Sequence, residues 1–150
     1  MKIYLAGPIS GKSYDEVVDL YRGKAELLRH YGYDVLCPMT GKTHLRNELD
    51  LKAYGLNDHP TSTNHGIFER DKWMVSNCDI VLADLSNAES RISIGTMMEL
   101  AWAAAYGKHS VVVMQADNIH QHAFVLEAAD MVFPDIEQAV AYLAELAKGI

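Results

Sequence analysis

The stretch KIYLAGPISGKSYDEVVDLYRGKAELLRHYGYDVLCP, residues 2–38, decides the fold. Lys2 to Ala6 is a short apolar run ending in Gly7-Pro8; it reads as a strand and is too short for the core of a signal peptide. From Tyr14 to Tyr31 the apolar residues Val17, Val18, Tyr21, Ala25 and Leu28 recur at helical spacing, and Gly32 stops the run. Tyr33 to Cys37 is strand-like again, with Pro38 closing it. Strand, helix and strand in that order make a parallel unit, because parallel neighbours need a crossover and a helix supplies one.

The rest of the chain repeats the alternation. Ile67 to Ser76 reads as a helix, Asp79 to Ala83 as a strand closed by Asp84, Ile94 to Tyr106 as an apolar, alanine-rich helix and Ser110 to Met114 as a strand. A short helix at 123–129, a weak strand at 131–133 and a last helix from Asp135 to Lys148 complete the chain. This pattern predicts an α/β, doubly wound open sheet of about five parallel strands with helices on both faces. Ligands of such sheets bind beyond the carboxyl ends of the strands, where the strand order reverses. Residues 39–65 break the alternation, being polar, rich in Gly, Asn, Thr and His, and without a sustained period. So long an irregular segment is more often functional than idle, and it reads as a lid or substrate loop, its lysines and histidines taken singly as solvated. With no repeat, linker or low-complexity tract, 1–150 is expected to form a single domain.

Composition excludes several classes of function. Hydrophobic residues at 49% and charged residues at 22% are ordinary for a globular chain of 150 residues, which is long enough to bury a core. No stretch nears the roughly 18 to 20 apolar residues that cross a bilayer, so no membrane partner is expected. The only cysteines, Cys37 and Cys78, are too few for a disulfide framework and suit inert thiols in a reducing cytoplasm. A formal charge of -7 without clustered Lys or Arg argues against a nucleic-acid polymer as partner. A small anion remains compatible, since a few donors at a helix N-terminus hold one phosphate.

Within the opening stretch, AGPISGKS (6–13) satisfies a loose phosphate-loop spacing, and Ile80 to Asp84 can pass for a magnesium-binding strand. These features would suit a nucleotide kinase using Lys12. Against it, alanine replaces the first glycine, and Pro8 removes an N–H from a cradle made of consecutive amides. No arginine-rich segment stands ready to neutralise a transferring phosphoryl group. What remains is a glycine-flanked turn that admits a small group close to the backbone. A nucleotide-binding sensor without catalysis is the other alternative.

The helix in SRISIGTMMELAWAAAYGK (90–108) is apolar except for Glu99. Its side chain leans over residue i−4, which is Gly95, so the carboxyl overlooks a notch, and the neighbours Met98, Leu100, Ala101 and Trp102 look like core. A cleft is therefore the better setting for Glu99 than open surface. Tyr4, on the first strand, and Asp71, in the helix before the third strand, can reach the same cleft. Together the three would supply a carboxylate nucleophile, an orienting hydroxyl and a second acid for a leaving group.

The blocks IYLAGPISG (3–11), ERDKWMVSNCDIVLADLS (69–86) and SIGTMMELAWAAAYGK (93–108) resemble the nucleoside 2-deoxyribosyltransferase family over nearly the whole chain. The resemblance implies a flavodoxin-like sheet, a homodimer or higher homo-oligomer with shared active sites, and metal-free cleavage of the N-glycosidic bond of 2'-deoxynucleosides, with no cofactor. By position, Glu99 matches the nucleophilic glutamate, Tyr4 its orienting tyrosine and Asp71 the aspartate beside the base. Cleavage builds oxocarbenium character that a close carboxylate stabilises and then traps. Glu99 would attack the anomeric carbon, its place in the early turns of its helix helping to keep it ionised. A second base or water would then release the sugar, giving transfer or hydrolysis.

Transferases of the family tend to carry an acid where this chain has Ser93. Serine there resembles the related 2'-deoxynucleoside 5'-monophosphate N-hydrolases, whose first loop also reads Gly-x-x-x-Gly, as Gly7 to Gly11 does here. The resemblance thus implies a 5'-monophosphate held by Ile9, Ser10 and Gly11 beside Gly7, with Ser93 and Gly95 at the helix start and Asp84 as a further substrate contact. Asn118, His120 or His122, in DNIHQH (117–122), correspond to residues lent to a neighbouring subunit's site, unless they simply form a polar loop. Met97 stands where relatives often have glycine, which predicts a tighter pocket floor. GTMME (95–99) also resembles the Gly-Thr-x-x-Glu of cytokinin-activating phosphoribohydrolases, another class of nucleotide N-glycosidase, though the preceding double glycine is missing.

Overall fold

The computed structural model describes residues 1–55, 58–88 and 90–149; Leu56 and Asn57, within the predicted 39–65 loop, lie outside the described residues. The strands are β1 (Lys2–Ala6), β2 (Asp34–Leu36), β3 (Ile80–Asp84), β4 (His109–Val113) and β5 (Met131–Phe133). The helices are α1 (Tyr14–His30), α2 (Asn64–Ser76), α3 (Ile94–Ala105), α4 (Ala123–Ala128) and α5 (Ile136–Lys148). All strand pairings are parallel and the order is β2-β1-β3-β4-β5, the flavodoxin-like arrangement. From β1 the chain moves outward to β2 and then returns past β1 to β3. The order therefore reverses between β1 and β3, and their carboxyl ends frame a cleft.

Alternation along the strands feeds two apolar layers. Ile3 and Leu5 of β1, with Ile80, Leu82, Val111 and Val113, pack on α1 and α5. Tyr4 and Ala6, with Val81, Ala83 and Val112, pack on α2, α3 and α4. A side chain at position 4 is thus committed to the α2–α3 side of the sheet. Several helix starts are set by side-chain caps. Ser13 Oγ accepts from the Glu16 amide, Thr63 Oγ1 from the Gly66 amide and Asp135 Oδ1 from the Gln138 amide. The Thr63 cap starts α2 earlier than the apolar spacing suggests, and Asp135 stands outside α5 as its cap.

The 39–65 segment is less of a free lid than its composition implies. It contains two short 3₁₀ turns, Thr43–Leu45 and Pro60–Ser62, and buries Met39, Lys42, Leu51 and Ser62. It is tied to the first loop by backbone bonds, Gly11 N–H to Leu51 O at 2.9 Å and Leu51 N–H to Lys12 O at 2.8 Å. Of its side chains, Lys42 corrects the expectation that each lysine here is solvated.

Gly7 closes β1 against β3. A Cβ there would lie 2.8 Å from the backbone oxygen of Asp84, closer than van der Waals contact allows, and backbone cannot swing aside as a side-chain tip can. Gly7→Ala is expected to lower unfolding stability by about 1–3 kcal/mol, read from the urea midpoint at unchanged m-value. A midpoint equal to the parent's would show that the strand ends separate freely.

Candidate active site

Glu99 sits in the second turn of α3 and is 6% exposed. Tyr4, fully buried on β1, reaches it across the sheet face, its hydroxyl donating to Glu99 Oε1 at 2.5 Å. Burial first, then the charges of Glu99 and Asp71, push the Tyr4 phenol well above its ordinary range, so it stays a donor. Burial also dominates Glu99, raising its carboxyl from 4.5 to about 8. The Tyr4 hydrogen bond and the nearby Lys42 and Arg70 charges oppose that rise, and Asp71 adds to it. This corrects the expectation that the helix start keeps Glu99 ionised. Dipole stabilisation at a helix N-terminus reaches about 2 kcal/mol at best, whereas full burial of a carboxylate costs several. Met98 and Ala101, expected in the core, face outward, while Leu100 is buried as expected. Gly95 leaves open space above it, consistent with a notch on the Glu99 side of the helix.

Asp71, on α2, is 9% exposed and joins the same electrostatic cluster. Its carboxyl is raised by burial against the pull of Arg70 and Lys42. Arg70 Nε and Nη2 both donate to Asp71 Oδ1, at 3.0 and 2.9 Å. The same guanidinium reaches Pro38 O at 2.8 Å, Thr40 O at 3.3 Å and Thr61 O at 3.4 Å. Arg70 therefore fixes the aspartate and the turn after β2 together. Sequence reading passed over Arg70, although it adjoins Asp71, and dismissed Lys42. It also missed Tyr21, a helix-spaced apolar residue whose hydroxyl donates to Gly7 O at 3.3 Å.

The first loop runs past the end of β1 with Gly7 and Ile9 half-buried and Ser10 exposed. Gly11 has φ +87°, a conformation glycine adopts without strain. Its amide is committed to Leu51 O, so of the three amides expected to receive a phosphate, this one already has its acceptor. Lys12 N–H turns back to Ile9 O, and the Lys12 ammonium lies 3.8 Å from Glu16. Asp84 is also engaged. Burial would raise it, but the Lys24 ammonium at 2.5 Å and two hydrogen bonds from Ser86 outweigh that and hold its carboxyl below the ordinary range. It closes a small recess on the α1 side, lined by Gly7, Lys12, Lys24 and Asn87, away from Glu99 across the sheet.

Ser93 stands at the N-cap position of α3 without a side-chain bond to the helix amides, and its hydroxyl shares a 2.8 Å hydrogen bond with Thr96 Oγ1. Its amide donates to His120 Nε2 at 2.8 Å, which puts the imidazole proton on Nδ1, facing Asn118 Oδ1 at 2.9 Å. Asn118 Nδ2 in turn donates to Leu85 O at 2.9 Å. Burial lowers His120, in keeping with this neutral role. Asn118 and His120 thus brace the start of the helix that carries Glu99. His122 is exposed, caps α4 by accepting from the Phe124 amide at 3.2 Å, and meets the Phe124 ring edge-on. Cys37 and Cys78 are unpaired thiols raised by burial. Among the described residues no His, Cys, Asp and Glu cluster could hold a metal ion, and no helix is long and apolar enough to cross a membrane.

The fold recurs in a 2-deoxyribosyltransferase of Bacillus psychrosaccharolyticus, at TM-score 0.64 and 21% identity over 95% of this chain and 96% of that one. It recurs in a conserved protein of Enterococcus faecalis V583, at TM-score 0.65 and 17% identity over 97% and 98%. The Clostridium botulinum CMP N-glycosidase BcmB gives TM-score 0.60 and 14% identity over 97% and 99%. At these identities the likeness speaks for the fold. No curated protein matches the sequence. The family model for nucleoside 2-deoxyribosyltransferase, however, matches residues 3–132, which run from within β1 through α4 and include each of Tyr4, Asp71 and Glu99. The chain belongs to the nucleoside 2-deoxyribosyltransferase family.

Proposed function

We propose that the protein cleaves the N-glycosidic bond of 2'-deoxynucleosides or their 5'-monophosphates through a covalent deoxyribosyl-Glu99 intermediate, as a cytoplasmic enzyme of nucleotide salvage. The observation that carries this reading is the buried Tyr4 hydroxyl on Glu99 Oε1 at 2.5 Å, with Asp71 in the same cluster. Tyr4 holds one carboxyl oxygen, which leaves the other to form a bond to the anomeric carbon as the carbon–nitrogen bond breaks. The electron pair of that bond leaves with the base, and Asp71 delivers the proton that neutralises it. A second base taking the sugar from Glu99 gives transfer; water taking it gives hydrolysis. No metal or cofactor enters this sequence of steps.

Hydrolysis of monophosphates is the branch that Ser93 favours. A carboxylate at that place would repel a 5'-phosphate, whereas a hydroxyl at the positive end of α3 can donate to one. The Ile9 and Ser10 amides would complete the contact. A homo-oligomer is part of the proposal. Phe68 and Trp73 of α2, Ile94 and Met98 of α3, and Phe124 of α4 are large apolar side chains exposed on the helical layer that carries Glu99, as expected of a subunit interface. The exposed His122 lies beside Phe124, where it could enter a neighbour's site.

Chromatography of products, with EDTA present, tests the reading on 2'-deoxynucleosides and their 5'-monophosphates, each with and without a different free base. Free base plus deoxyribose 5-phosphate from monophosphates is the expected result. A new nucleoside formed only with added base would establish transfer instead. Absence of cleavage across the panel, or activity only with added magnesium, would overturn the proposal.

A further inference from the structure

Lys42 is 7% exposed, and among the described residues its ammonium has neither an ion-pair partner nor a hydrogen bond. No fully sealed side-chain nitrogen in the described residues lacks a partner, so this ammonium must keep an opening. The charges that act on it include Arg70, Asp71 and Glu99, which makes Lys42 part of the electrostatic cluster of the catalytic cleft. Burying a cation without a partner is costly, and burial does lower the Lys42 ammonium from its ordinary range. A chain that accepts this cost at its active centre is poised for a ligand atom carrying negative charge.

The backbone under Lys42 is built to hold it there. The turn that follows β2 is tied down by Arg70 Nη2 to Pro38 O at 2.8 Å and by Thr61 Oγ1 to Gly41 O at 2.9 Å. Lys42 N–H closes the turn on Met39 O at 3.2 Å, and Gly41 takes φ +77° to allow it. Position then identifies the ligand atom. β2 lies on one side of β1, and β3, which leads to Ser93 and α3, lies on the other. With the anomeric carbon at Glu99 and the 5' end toward Ser93, the base extends toward β2, onto Lys42. This step rests on the function proposed above.

We propose that Lys42 reads the nucleobase: its ammonium donates to an exocyclic carbonyl oxygen and holds the negative charge that arrives there when the glycosidic bond breaks. The preferred substrates then carry oxo-bases, either pyrimidines with a 2-carbonyl or 6-oxopurines, and not adenine. As a Glu99 oxygen bonds to the anomeric carbon, the electron pair of the carbon–nitrogen bond passes into the base and spreads onto the carbonyl oxygen. Asp71 supplies the proton that ends on the base, and Lys42 keeps all of its own. Adenine offers no such oxygen and gains nothing from a cation at that place.

Steady-state kinetics of the full chain and of Lys42→Met test this with matched substrates: deoxyinosine against deoxyadenosine, and deoxyuridine against 5-fluorodeoxyuridine, as nucleosides and monophosphates. Measured on the high-pH plateau, where the effect of the Lys42 charge on Glu99 ionisation drops out, the expected loss in kcat/KM is on the order of 10- to 100-fold for the oxo-bases, as for a lost hydrogen bond to a charged group, and a few-fold at most for adenine. The loss should shrink for 5-fluorouracil, which carries its negative charge more easily. Equal losses across the panel, with unchanged dependence on the leaving group, would mean a structural lysine and overturn the proposal. Should Lys42→Met not fold, Lys42→Arg must keep the oxo preference and Lys42→Gln must lose it. If the parent cleaves nothing, the proposed function fails by itself. Calorimetry with free uracil, hypoxanthine and adenine then decides on Lys42. Binding of an oxo-base that Lys42→Met loses supports the assignment, and indifference to the substitution overturns it.

Discussion

Glu99→Gln is expected to lose glycosidic cleavage by a factor on the order of 10⁴ or more, as when a nucleophile is removed, and to remain folded. Glutamine has the same shape and still accepts from the Tyr4 hydroxyl, so the buried contact survives; what is lost is the oxygen that attacks the anomeric carbon. The carboxyl itself strains the fold. An unfolded Glu99 ionises near 4.5 and the folded one near 8, so between these values the folded state holds a proton that the unfolded state has released. The contribution of Glu99 to stability therefore falls as pH rises through that window and levels off above it. Glu99→Gln escapes the penalty, and its Tm should gain on the parent's from pH 5 to pH 8. The parent's kcat/KM should rise over the same interval, since the free enzyme must ionise Glu99 to attack. Activity of Glu99→Gln within a factor of about ten of the parent would remove Glu99 as nucleophile.

The alternation of elements was legible because apolar runs and helix-spaced residues are local properties. Strand order is not local: β1, β3 and β4 are all buried on both faces and read alike, so the order had to come from the family resemblance. Glu99 stood out as the single acid in an apolar helix, and the same uniformity hid which way Met98 and Ala101 face, because an all-apolar helix has no polar side to orient it. Lys42 was illegible for the opposite reason. MTGKTH (39–44) is polar and looks solvated. Its burial is made by distant partners, Arg70 on α2 and Thr61 before it, which no local pattern announces. At Glu99 the helix end contributes too little to offset the depth of the site, a depth that the local sequence does not display.

Asp71→Asn is expected to lower kcat by a factor on the order of 10² to 10³, the usual worth of a general acid, and to move the ascending limb of the pH profile to lower pH. The rate loss follows from chemistry: an amide can point a hydrogen at the departing base but cannot surrender it. The shift in pH follows from electrostatics. The Asp71 charge disfavours ionisation of Glu99, and productive chemistry needs Glu99 ionised with the proton on Asp71. Burial raises both carboxyls, Glu99 to about 8. Asparagine removes the competing acid, and the Arg70 and Lys42 charges then act on Glu99 without an opposing anion. Glu99 ionises more easily, and the small residual activity of Asp71→Asn reaches its plateau at lower pH than the parent's. A residue that only positioned Arg70 would move the limb in the same way, since its charge acts on Glu99 whatever its role, but Asp71→Asn would then fail to be rescued by a base that leaves without a proton. Rescue by such a base assigns the proton to Asp71; an equal loss for bases that need a proton and bases that do not takes it away.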